Sequence, residues 1–355
     1  MNDRADPCAR IPAASDPLQI VVPRRYNAAL EFIDRNVVEG RGEQIALIDD
    51  SGRYTYRELC ERVNQAGHVL RQAGAGIEQR VLLCLDGGID FVSVFWGAVK
   101  IGAVPVPVNP ALTRDDYNGL LRDSRPRVVV SDLKGVRHFQ STVINQNFPC
   151  RLLTVGASQA GAGELTKLMA AAPAALEAAE TTADDAAFWL YTSGSTGVPK
   201  AVVHLHRSLI QTAVLYGQRV LRIGSSDRIF SAAKMFFAYG LGNSMTFPFS
   251  VGATSIVSAC RPTPENVLNV IDQHRPTVFC GVPTIYHNLI ALPGVDEASC
   301  LSAVRLYLSA GEPLPEQIGR QWQALSGREL IDGLGTTEML QTFLSNQPGQ
   351  VRYGS

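Results

Sequence analysis

Residues 191–200 read Tyr-Thr-Ser-Gly-Ser-Thr-Gly-Val-Pro-Lys, and they directly follow the apolar run Ala-Ala-Phe-Trp-Leu at 186–190. Glycines let backbone N–H groups converge on an anion, hydroxyls add donors, and Lys200 adds a mobile positive charge. The stretch departs from the Walker pattern because Lys200 lies between Pro199 and Ala201, whereas that loop needs glycine before the lysine and a hydroxyl after it. The stretch predicts a phosphate-binding loop after a buried strand; a flexible turn between two strands is the alternative.

Short β-branched runs alternate with helical patterns along the rest of the chain. Such alternation is typical of an α/β fold with a mostly parallel sheet that helices cover on both faces. Thr263 and Pro264 predict a helix start, with a hydroxyl cap followed by proline, and this helix is expected to end near His274. The predicted strands are residues 81–85, 104–108, 128–131, 152–155, 188–191, 201–204, 229–231, 254–258, 277–280, 305–308 and 329–332.

The Ala/Gly-rich segment 156–182 contains few β-branched residues. It predicts the seam between an N-terminal unit, residues 1–175, and a phosphate-loop unit, residues 176–355; a surface helix is the alternative for this segment. A length of 355 residues agrees with two or three structural units, because one core rarely extends beyond about 250–300 residues.

Composition excludes several classes of partner. With 32 basic and 33 acidic residues, the chain lacks the charge excess expected of a nucleic-acid or membrane-surface binder. The apolar tract 81–108 is broken by charged residues and prolines, so it predicts strand, helix and strand rather than a membrane span. The first ten residues lack the apolar region of a signal peptide. Seven cysteines without a C-x-x-C pair predict reduced thiols and a cytoplasmic protein.

Residues 191–200 resemble the phosphate loop of the adenylate-forming acyl- and aryl-CoA synthetases, and two later motifs test this resemblance. The sequence Asp-Gly-Leu-Gly-Thr-Thr-Glu at 332–338 resembles the later G-x-T-E motif of that family, and Ser-Ala-Gly-Glu-Pro-Leu-Pro at 309–315 resembles its adenine-side turn. Segment 234–243, Lys-Met-Phe-Phe-Ala-Tyr-Gly-Leu-Gly-Asn, is similar to the acyl-pocket segment of the benzoate-CoA ligase branch. The likeness extends from about residue 26 to the last residue.

The resemblance implies two stacked α/β subdomains with mostly parallel sheets flanked by helices, which together form the large N-terminal domain of an adenylate-forming enzyme. This domain is expected to be incomplete, and the C-terminal lid domain is expected to be absent, because the chain ends at Ser355, soon after the T-E motif. Such a chain is expected to bind ligands better than it completes turnover, since closure of the lid accompanies both half-reactions.

The implied reaction is ATP- and Mg²⁺-dependent activation of an aromatic carboxylate to an aryl-adenylate, followed by transfer to coenzyme A. Loading of the aryl acid onto a carrier protein, and a non-catalytic fragment that binds nucleotide and acid, are the alternatives. The expected partner is a small aromatic acid, with no nucleic acid and no membrane, and a homodimer is one option for assembly.

Charge development on phosphate oxygens calls for donors and a metal ion, and the resemblance assigns these roles to four catalytic residues. Thr192 and Lys200 are expected to hold the phosphates, Thr337 to contact the α-phosphate, and Glu338 to bind Mg²⁺; an ordinary solvated carboxylate is the alternative for Glu338. Leu334 departs from the family, since many relatives have an aromatic residue there to stack on the base. The residues expected to bind the nucleotide are Ser193, Gly194, Ser195, Thr196, Gly197, Gly311, Glu312, Pro313, Asp332, Gly333, Leu334, Gly335 and Thr336.

A planar acid needs a narrow slot between aromatic and apolar walls, and the predicted acid pocket mixes glycine and alanine with aromatic rings. This mixture favours benzoate or a small substituted benzoate, with 2-aminobenzoate leading, over a long fatty acid; ordinary core packing is the alternative for the aromatic residues. Gln341 stands where benzoate-activating relatives commonly have histidine and is expected to contact a ring substituent. Hydrogen-bonded structural roles are expected for His204 and His206. The residues expected to line the acid pocket are Tyr216, Phe236, Phe237, Ala238, Tyr239, Gly240, Gly281, Leu340 and Gln341.

Overall fold

Strands and helices alternate through the computed structural model, which describes residues 7–10, 20–132, 135–139, 149–158, 161–162, 164–193 and 199–354. The strands are β1 (Ile45–Asp49), β2 (Gly52–Thr55), β3 (Arg80–Cys84), β4 (Val104–Pro107), β5 (Val128–Asp132), β6 (Arg151–Val155), β7 (Ala157–Ser158), β8 (Gly161–Ala162), β9 (Ala186–Ser193), β10 (Pro199–Leu205), β11 (Arg228–Ser231), β12 (Thr254–Ile256), β13 (Val278–Gly281), β14 (Leu306–Ala310), β15 (Leu330–Gly335) and β16 (Thr342–Ser345).

Helices fill most of the intervals between these strands. The α-helices are α1 (Tyr56–Gln72), α2 (Gly88–Lys100), α3 (Arg114–Ser124), α4 (Glu164–Ala171), α5 (His206–Thr212), α6 (Ala238–Leu241), α7 (Phe247–Val251), α8 (Pro264–His274), α9 (Pro283–Ile290) and α10 (Glu316–Ser326). Wider π-type turns occupy Leu30–Asp34, Val37–Arg41, Ala213–Gln218 and Gly242–Thr246, and short 3₁₀ turns occupy Val295–Glu297 and Leu301–Ala303. No helix in the described ranges is long and apolar enough to cross a membrane.

The first compact unit comprises Met1–Glu43 and Thr55–Ile210. Its parallel sheet has the order β4-β3-β5-β6, and the strands are largely buried because helices cover a sheet of this kind. Leu82, Val106 and Val129 contribute one core face from three of these strands. An antiparallel pair of β9 and β10 belongs to the same unit, so the strands on either side of the predicted phosphate loop are hydrogen-bonded to each other.

The second compact unit comprises Gln44–Tyr54 and Gln211–Ser355. Its sheet has the order β16-β15-β14-β13-β11-β12-β1-β2, with parallel pairing from β15 to β1 and an antiparallel pair of β15 and β16. Tyr286, Tyr307 and Trp322 form an aromatic core against this sheet, with ring centroids 4.8 Å apart for Tyr286 and Trp322 and 5.1 Å apart for Tyr307 and Trp322. Edge-to-face packing of this kind stabilises the core beyond simple area burial.

The predicted α/β class with mostly parallel sheets is confirmed, and all eleven predicted strands are present with shifted ends. The predicted helix is α8, in which Thr263 Oγ1 accepts a hydrogen bond from the Asn266 amide at 3.3 Å and the helix ends at His274. The strand predicted to end at Asp332 continues to Gly335 because β16 pairs with it. The sequence analysis missed β1, β2, β7, β8 and β16.

The division into units also differs from the predicted boundary at residues 175 and 176. Segment 156–182 contains α4, which packs against α1 and β6 inside the first unit and therefore does not separate two units. The chain divides after Ile210 instead, and Gln44–Tyr54 joins the second unit because β1 pairs with β12. No local signal marks this pairing, since its partners are about two hundred residues apart.

Candidate functional site

A cavity of 540 Å³ lies where β14 and β15 end at the same edge of the second unit's sheet. In open parallel sheets, this carboxyl edge is where ligands bind. The strand-end cavity, as we call it, contains seven of the predicted nucleotide residues together with three residues that were not predicted as site residues. Its lining is Gly311, Glu312, Pro313, Asp332, Gly333, Leu334, Gly335, Leu344, Ser345 and Asn346.

The turn after β14 is shaped by a glycine. Gly311 has φ +92°, a conformation that side chains disfavour, and the nearest atom to a Cβ placed there would be 3.7 Å away. Glycine is therefore required here by the backbone and not by crowding. Thr284 donates to Glu312 Oε2 at 2.9 Å, which ties the turn to α9. This arrangement holds the backbone of 311–313 against the cavity.

Leu334 and Leu344 form an apolar pair at the cavity wall. They are cross-strand partners in β15 and β16, and 56% and 64% of their surfaces are exposed. Two neighbouring leucines offer a flat apolar surface on which a planar group can pack. Sequence reasoning missed Leu344 because its position depends on the β15–β16 register. The signal available was the family resemblance, which extends from about residue 26 to the last residue.

Asp332 brings a carboxylate with an unusual environment to the cavity. Burial raises its pKa to about 6, although the Ser309 side chain and the backbone amides of Gly333 and Leu314 pull it back downward. Its Oδ1 atom is buried and has no partner of hydrogen-bond geometry in the part of the chain that the structure describes. A buried acceptor without a partner is unfavourable unless a ligand or water supplies a donor.

The T-E motif forms a tight turn beside β15. Thr336 Oγ1 accepts from the Met339 amide at 3.1 Å, and the Leu340 amide donates to the Thr337 carbonyl at 3.0 Å. Leu340 is buried with φ +67°, an uncommon value for a residue with a side chain. The turn leaves Glu338 exposed, with its carboxylate open to solvent.

A metal role for Glu338 depends on what else would complete the coordination sphere. Across the described ranges, no group of three or more His, Cys, Asp or Glu residues could hold a metal ion. A single exposed carboxylate nevertheless fits Mg²⁺, which is commonly bound by one or two carboxylates together with substrate phosphates and water. The donor set therefore agrees with a metal that arrives with its nucleotide.

The hairpin of the first unit carries the described residues of the predicted phosphate loop. Lys200 in β10 lies directly opposite Thr192 in β9, and Pro199 lies opposite Ser193. Directly opposed residues of an antiparallel pair project to the same face, so the lysine and the threonine share one side of the hairpin. Lys200 is exposed. The predicted residues Gly194, Ser195, Thr196 and Gly197 lie outside the described residues.

The two histidines that follow this stretch, His204 and His206, are buried, whereas Lys200 is exposed. His206 Nδ1 accepts a hydrogen bond from the Ala28 amide at 3.0 Å, and burial lowers its pKa to about 4, opposed by Asp185. His204 is buried and stacks on Phe188 with ring centroids 4.8 Å apart. The structural, hydrogen-bonded role predicted for His206 is confirmed.

Segment 234–243 combines buried and exposed side chains within the second unit. Phe236 is buried and Phe237 is 51% exposed, with ring centroids 4.7 Å apart. Ala238 begins α6, and Tyr239 follows it. Lys234 donates to the carbonyls of Ser258 and Cys260 at 2.8 and 3.0 Å. The lysine therefore joins this segment to the chain after β12.

The predicted pocket glycines are explained by close packing. A Cβ on Gly240 would overlap the Lys234 carbonyl oxygen, and one on Gly281 would lie 2.9 Å from the Tyr286 ring. A Cβ on Gly333 would lie 2.6 Å from Thr342 Cγ2, and one on Gly335 would lie 3.0 Å from the Gln341 carbonyl oxygen. Of these four, Gly240 and Gly281 were predicted to line the acid pocket, and Gly333 and Gly335 to bind the nucleotide. Protein atoms lie close to the Cβ position of each one.

Gln341 is bonded to the backbone around it. Its Nε2 donates to the Tyr239 carbonyl at 3.3 Å, and its Oε1 accepts from the Thr342 amide at 2.9 Å and from Thr342 Oγ1 at 3.2 Å. The side chain lies over Gly242, where a Cβ would overlap its Nε2. Gln341 thus connects α6 to β16, and the ring contact expected of it has no support in these bonds.

Tyr216 and Tyr239 place two buried hydroxyls near one another. The Tyr216 hydroxyl lies 3.2 Å from Ser345 Oγ, and burial raises its pKa to about 12. The Tyr239 hydroxyl is buried, and burial raises its pKa well above the ordinary value; Cys280, Tyr286 and Tyr216 raise it further. Tyr216 also lies 3.4 Å from where a Cβ on Gly333 would stand, so it borders the strand-end cavity.

Asn243 was not predicted as a site residue, yet its environment is unusual. It lies in the π-type turn Gly242–Thr246 and is fully buried. Its side chain lies beside the Tyr239 hydroxyl and lowers the pKa of that hydroxyl, against the larger effect of burial. Turns of this type occur frequently at functional sites.

Comparison with known proteins identifies the family. Residues 34–355 match the family model described as AMP-binding enzyme. The chain is 46% identical over 343 residues to a benzoate-CoA ligase of Thauera aromatica, covering 96% of this chain and 64% of that protein. The solved structure of a benzoate CoA ligase from Burkholderia xenovorans LB400 matches with a TM-score of 0.84 and 42% identity, covering 93% of this chain and 65% of that one.

A second solved structure is similar in fold and carries a bound ligand. The anthranilate CoA ligase AuaEII in complex with anthranoyl-AMP matches with a TM-score of 0.89 and 33% identity, covering 94% of this chain and 63% of that chain. The chain thus spans less than two thirds of the length of each of these three proteins.

Proposed function

The chain belongs to the AMP-binding enzyme family, and from this membership we propose that it forms the nucleotide- and acid-binding part of an ATP-dependent aryl-CoA ligase of the cytoplasm. In the proposed reaction, an oxygen of an aromatic carboxylate attacks the α-phosphorus of ATP, and the bond to the β-phosphate breaks to release pyrophosphate. The thiol of coenzyme A then attacks the acyl carbon of the aryl-adenylate, AMP leaves, and the thiol proton passes to solvent.

The observation that carries this proposal is the convergence of two separate motifs in one cavity. Gly311, Glu312 and Pro313 follow β14, whereas Asp332 to Gly335 belong to β15, and both groups line the strand-end cavity. A cavity of 540 Å³ lies within the usual range for small-molecule sites. Its place at the carboxyl edge of parallel strands supports nucleotide binding.

Apolar and polar groups of this cavity suit an adenine base. Leu334 and Leu344 supply an exposed apolar surface on which a planar base packs. Asp332 has a buried oxygen without a partner in the described chain, and the exocyclic amine of adenine is a donor that would satisfy it. The base is thereby oriented by one apolar and one polar contact.

The charged end of the nucleotide requires the remaining motif residues. Thr337 and Glu338 lie in the turn after β15, where Thr337 would donate to the α-phosphate and Glu338 would hold Mg²⁺. Mg²⁺, when bound, neutralises the negative charge that develops on the phosphate oxygens. Thr192 and Lys200 share one face of the β9–β10 hairpin, and we assign to them the binding of the β- and γ-phosphates.

Benzoate and small substituted benzoates such as 2-aminobenzoate are the proposed acids. The support comes from the similarity to a benzoate-CoA ligase and to an anthranilate CoA ligase, together with the aromatic and small residues of segment 234–243. Tyr216 connects this segment to the strand-end cavity. An acid bound beside Tyr216 would therefore present its carboxylate toward the nucleotide.

Pyrophosphate exchange with the complete gene product tests the proposal. Each of benzoate, 2-aminobenzoate, hydroxybenzoates, hexanoate and decanoate would be offered with ATP and Mg²⁺, and exchange of labelled pyrophosphate would be measured. The expected result is acid-dependent exchange that is greatest with a benzoate. Preference for hexanoate or decanoate over every benzoate would refute the assignment of an aromatic acid.

The acceptor is tested separately in the same preparation. Coenzyme A and a phosphopantetheinylated carrier protein would be supplied in parallel, and the thioester would be identified by mass spectrometry. Aryl-CoA is the expected product. Exclusive loading of the carrier protein would instead support an adenylation domain, and nucleotide binding without exchange would support a non-catalytic role.

A further inference from the structure

A second cavity lies at the other edge of the second unit's sheet, where β1, β11 and β12 begin. These strands run parallel to one another and, through β13, to β14 and β15, so their first residues stand at the edge opposite the strand-end cavity. The basic cavity, as we call it, has a volume of 260 Å³, and residues of β2 and of the end of α8 also line it. In the part of the chain that the structure describes, its lining includes Arg53, Arg228, His274 and Arg275 and no acidic residue.

His274 brings a buried ring nitrogen without a partner to this cavity. It is the last residue of α8, and its Nδ1 atom has no hydrogen-bond partner within the described ranges. Burial lowers the pKa of His274, the charges of Arg53 and Arg228 lower it further, and Asp50 opposes them. The neutral imidazole is therefore favoured beside two positive charges, and an anion between them would both offset those charges and pair with the ring.

The end of α8 accounts for two of the three arginines. Arg228 Nη2 donates to the Arg275 carbonyl at 2.5 Å. Arg275 Nε donates to the Asp272 carbonyl at 2.9 Å, and its Nη2 pairs with the Asp272 carboxylate at 2.9 Å. Positive side chains here also suit the negative end of the helix dipole. These contacts stabilise the end of the helix, but they explain neither Arg53 nor the unpaired nitrogen of His274.

Arg53 in β2 has no carboxylate partner among the described residues, and its side chain makes no hydrogen bond there. The acidic residue close to it in sequence, Asp50, is already engaged, since it accepts from the Ala259 amide at 2.8 Å and from Ser258 Oγ at 3.4 Å. Arg53 and Arg228 therefore line one cavity without a negative charge between them. Like charges arranged in this way repel each other, and an anion that enters the cavity relieves the repulsion.

We propose that the basic cavity binds a small phosphate anion, either inorganic phosphate or pyrophosphate, through Arg53, Arg228 and His274. These donors come from three different elements, and the tetrahedral arrangement of phosphate oxygens meets such donors from several directions, whereas the oxygens of a carboxylate lie in one plane. The volume of 260 Å³ lies below the range typical of drug-sized ligands, which favours a small anion over a nucleotide. This site is separate from the strand-end cavity and does not depend on the proposed reaction.

The test is calorimetric titration of the complete gene product with inorganic phosphate, pyrophosphate, sulfate and malonate. The phosphate anions are expected to bind with a Kd of about 1 mM or lower, and more tightly than malonate. Arg53→Gln is expected to raise the Kd for inorganic phosphate at least tenfold, because it removes a charge-assisted hydrogen bond. Arg328→Gln is the matched control, since Arg328 is another exposed arginine of the second unit and does not line this cavity. Its Kd is expected to stay within twofold of wild type.

The predicted phosphate loop is a second place where phosphate anions could bind. Titrations with inorganic phosphate are therefore repeated in Lys200→Gln and in the double variant with Arg53→Gln. Binding is expected to stay within twofold of wild type in Lys200→Gln and to be lost in the double variant. Loss of binding in Lys200→Gln, with binding retained in Arg53→Gln, would place the anion at the phosphate loop and overturn the inference.

Sulfate tests the role of His274, because it keeps both negative charges between about pH 5.5 and pH 8, where histidine titrates. A bound dianion favours the protonated imidazole, so the wild-type affinity for sulfate is expected to rise as the pH falls, and His274→Gln is expected to lose this dependence. The other charged groups on the elements around His274 are Arg53, Arg228, Arg275, Asp50 and Asp272, and all of them are retained in His274→Gln. The same pH dependence in both proteins would show that His274 does not contact the anion.

Three further results would overturn the inference. Absence of saturable binding at about 10 mM phosphate in the wild type would show that the cavity is not a phosphate site. Tighter binding of malonate than of either phosphate anion would exclude the tetrahedral class of ligand. An equal rise of the Kd in Arg53→Gln and Arg328→Gln would show that binding reflects only the overall charge. Thermal unfolding of each variant confirms that it is folded, and His274→Gln provides a second measurement at the same cavity if Arg53→Gln folds poorly.

Discussion

The strand-end cavity and segment 234–243 differ in how far their residues are exposed to solvent, although both were predicted as parts of the site from short sequence motifs. The cavity is open, and its leucine pair and the nearby Glu338 are exposed to solvent. In segment 234–243, by contrast, Lys234 and Gly240 are held against backbone atoms, although Phe237 is exposed. Residues of the first region are free to act on a ligand, whereas Lys234 and Gly240 of the second hold the fold. Substitutions should therefore affect activity in the first region and stability in the second.

The largest expected effect is that of Gly240→Ala. The added Cβ would overlap the Lys234 carbonyl oxygen, which is backbone and cannot rotate away as a flexible side chain could. Overpacking of this kind is expected to lower the free energy of unfolding by about 3 kcal/mol. Urea denaturation followed by circular dichroism measures the change.

Gly224→Ala is the matched control for that variant. No atom lies within 4 Å of a Cβ placed on Gly224, so its unfolding free energy is expected to change by less than about 1 kcal/mol. Equal stability of the Gly240 and Gly224 variants would show that the segment is not tightly packed, and the contrast between the two regions would disappear.

Glu338→Gln is the corresponding change on the cavity side. The residue is exposed, so the free energy of unfolding is expected to change by less than about 0.5 kcal/mol. Loss of the carboxylate that binds Mg²⁺ is expected to slow adenylate formation roughly 100-fold, about 2.7 kcal/mol in activation free energy. Pyrophosphate exchange at varied Mg²⁺ concentration measures this effect. Glu297→Gln, another exposed site, should keep full activity; unchanged exchange in Glu338→Gln would contradict the metal role.

Gln341→Ala tests whether this residue serves the fold or the substrate. Removal of its amide leaves the buried Thr342 amide without its acceptor, and the unfolding free energy is expected to fall by about 2 kcal/mol. The ranking of benzoate and hydroxybenzoates should stay within twofold of wild type. The exposed Gln323→Ala provides the control for stability. A changed ranking of the acids in Gln341→Ala would instead show that Gln341 contacts the ring substituent.

The same contrast explains how much could be predicted from the sequence. Residues 311–313 and 332–335 are contiguous within their motifs, and parallel strands bring such strand ends together without further information. Leu344, Ser345 and Asn346 could not be assigned in this way, because their place in the cavity depends on the antiparallel register of β16. The strand predicted to end at Asp332 reaches Gly335 for the same reason.

Glycine was the least informative residue type in the predicted acid pocket. A motif shows that a side chain is absent at Gly240 or Gly281, but only the packed structure shows which atoms use that space. Likewise, the complete burial of Asn243 is a property of its surroundings in the described structure, and no spacing in the sequence indicates it. The space beside these glycines and the surroundings of Asn243 both depend on long-range packing, which a local sequence pattern does not specify.

The smallest expected effect concerns Asp332, where stability and binding should change in opposite directions. Burial raises its pKa from 3.8 to about 6, so the folded chain holds the proton more tightly than the unfolded chain. The resulting stabilisation is complete below pH 3.8 and is lost as the pH rises through 6. At pH 7 the ionised carboxylate therefore lowers the free energy of unfolding, by about 1 kcal/mol after allowance for its partial exposure.

Asp332→Asn removes this partly buried negative charge, so the free energy of unfolding should rise by about 1 kcal/mol at pH 7 and stay unchanged at pH 4. Adenosine affinity should fall at pH 7, because the neutral amide is a weaker acceptor for the exocyclic amine than the carboxylate. Denaturation at both pH values and calorimetric titration with adenosine measure the two effects, with the exposed Asp296→Asn as control. A gain in stability of equal size at pH 4 and pH 7 would show that the effect is unrelated to ionisation. Tighter adenosine binding by Asp332→Asn would show that this carboxylate does not face the base.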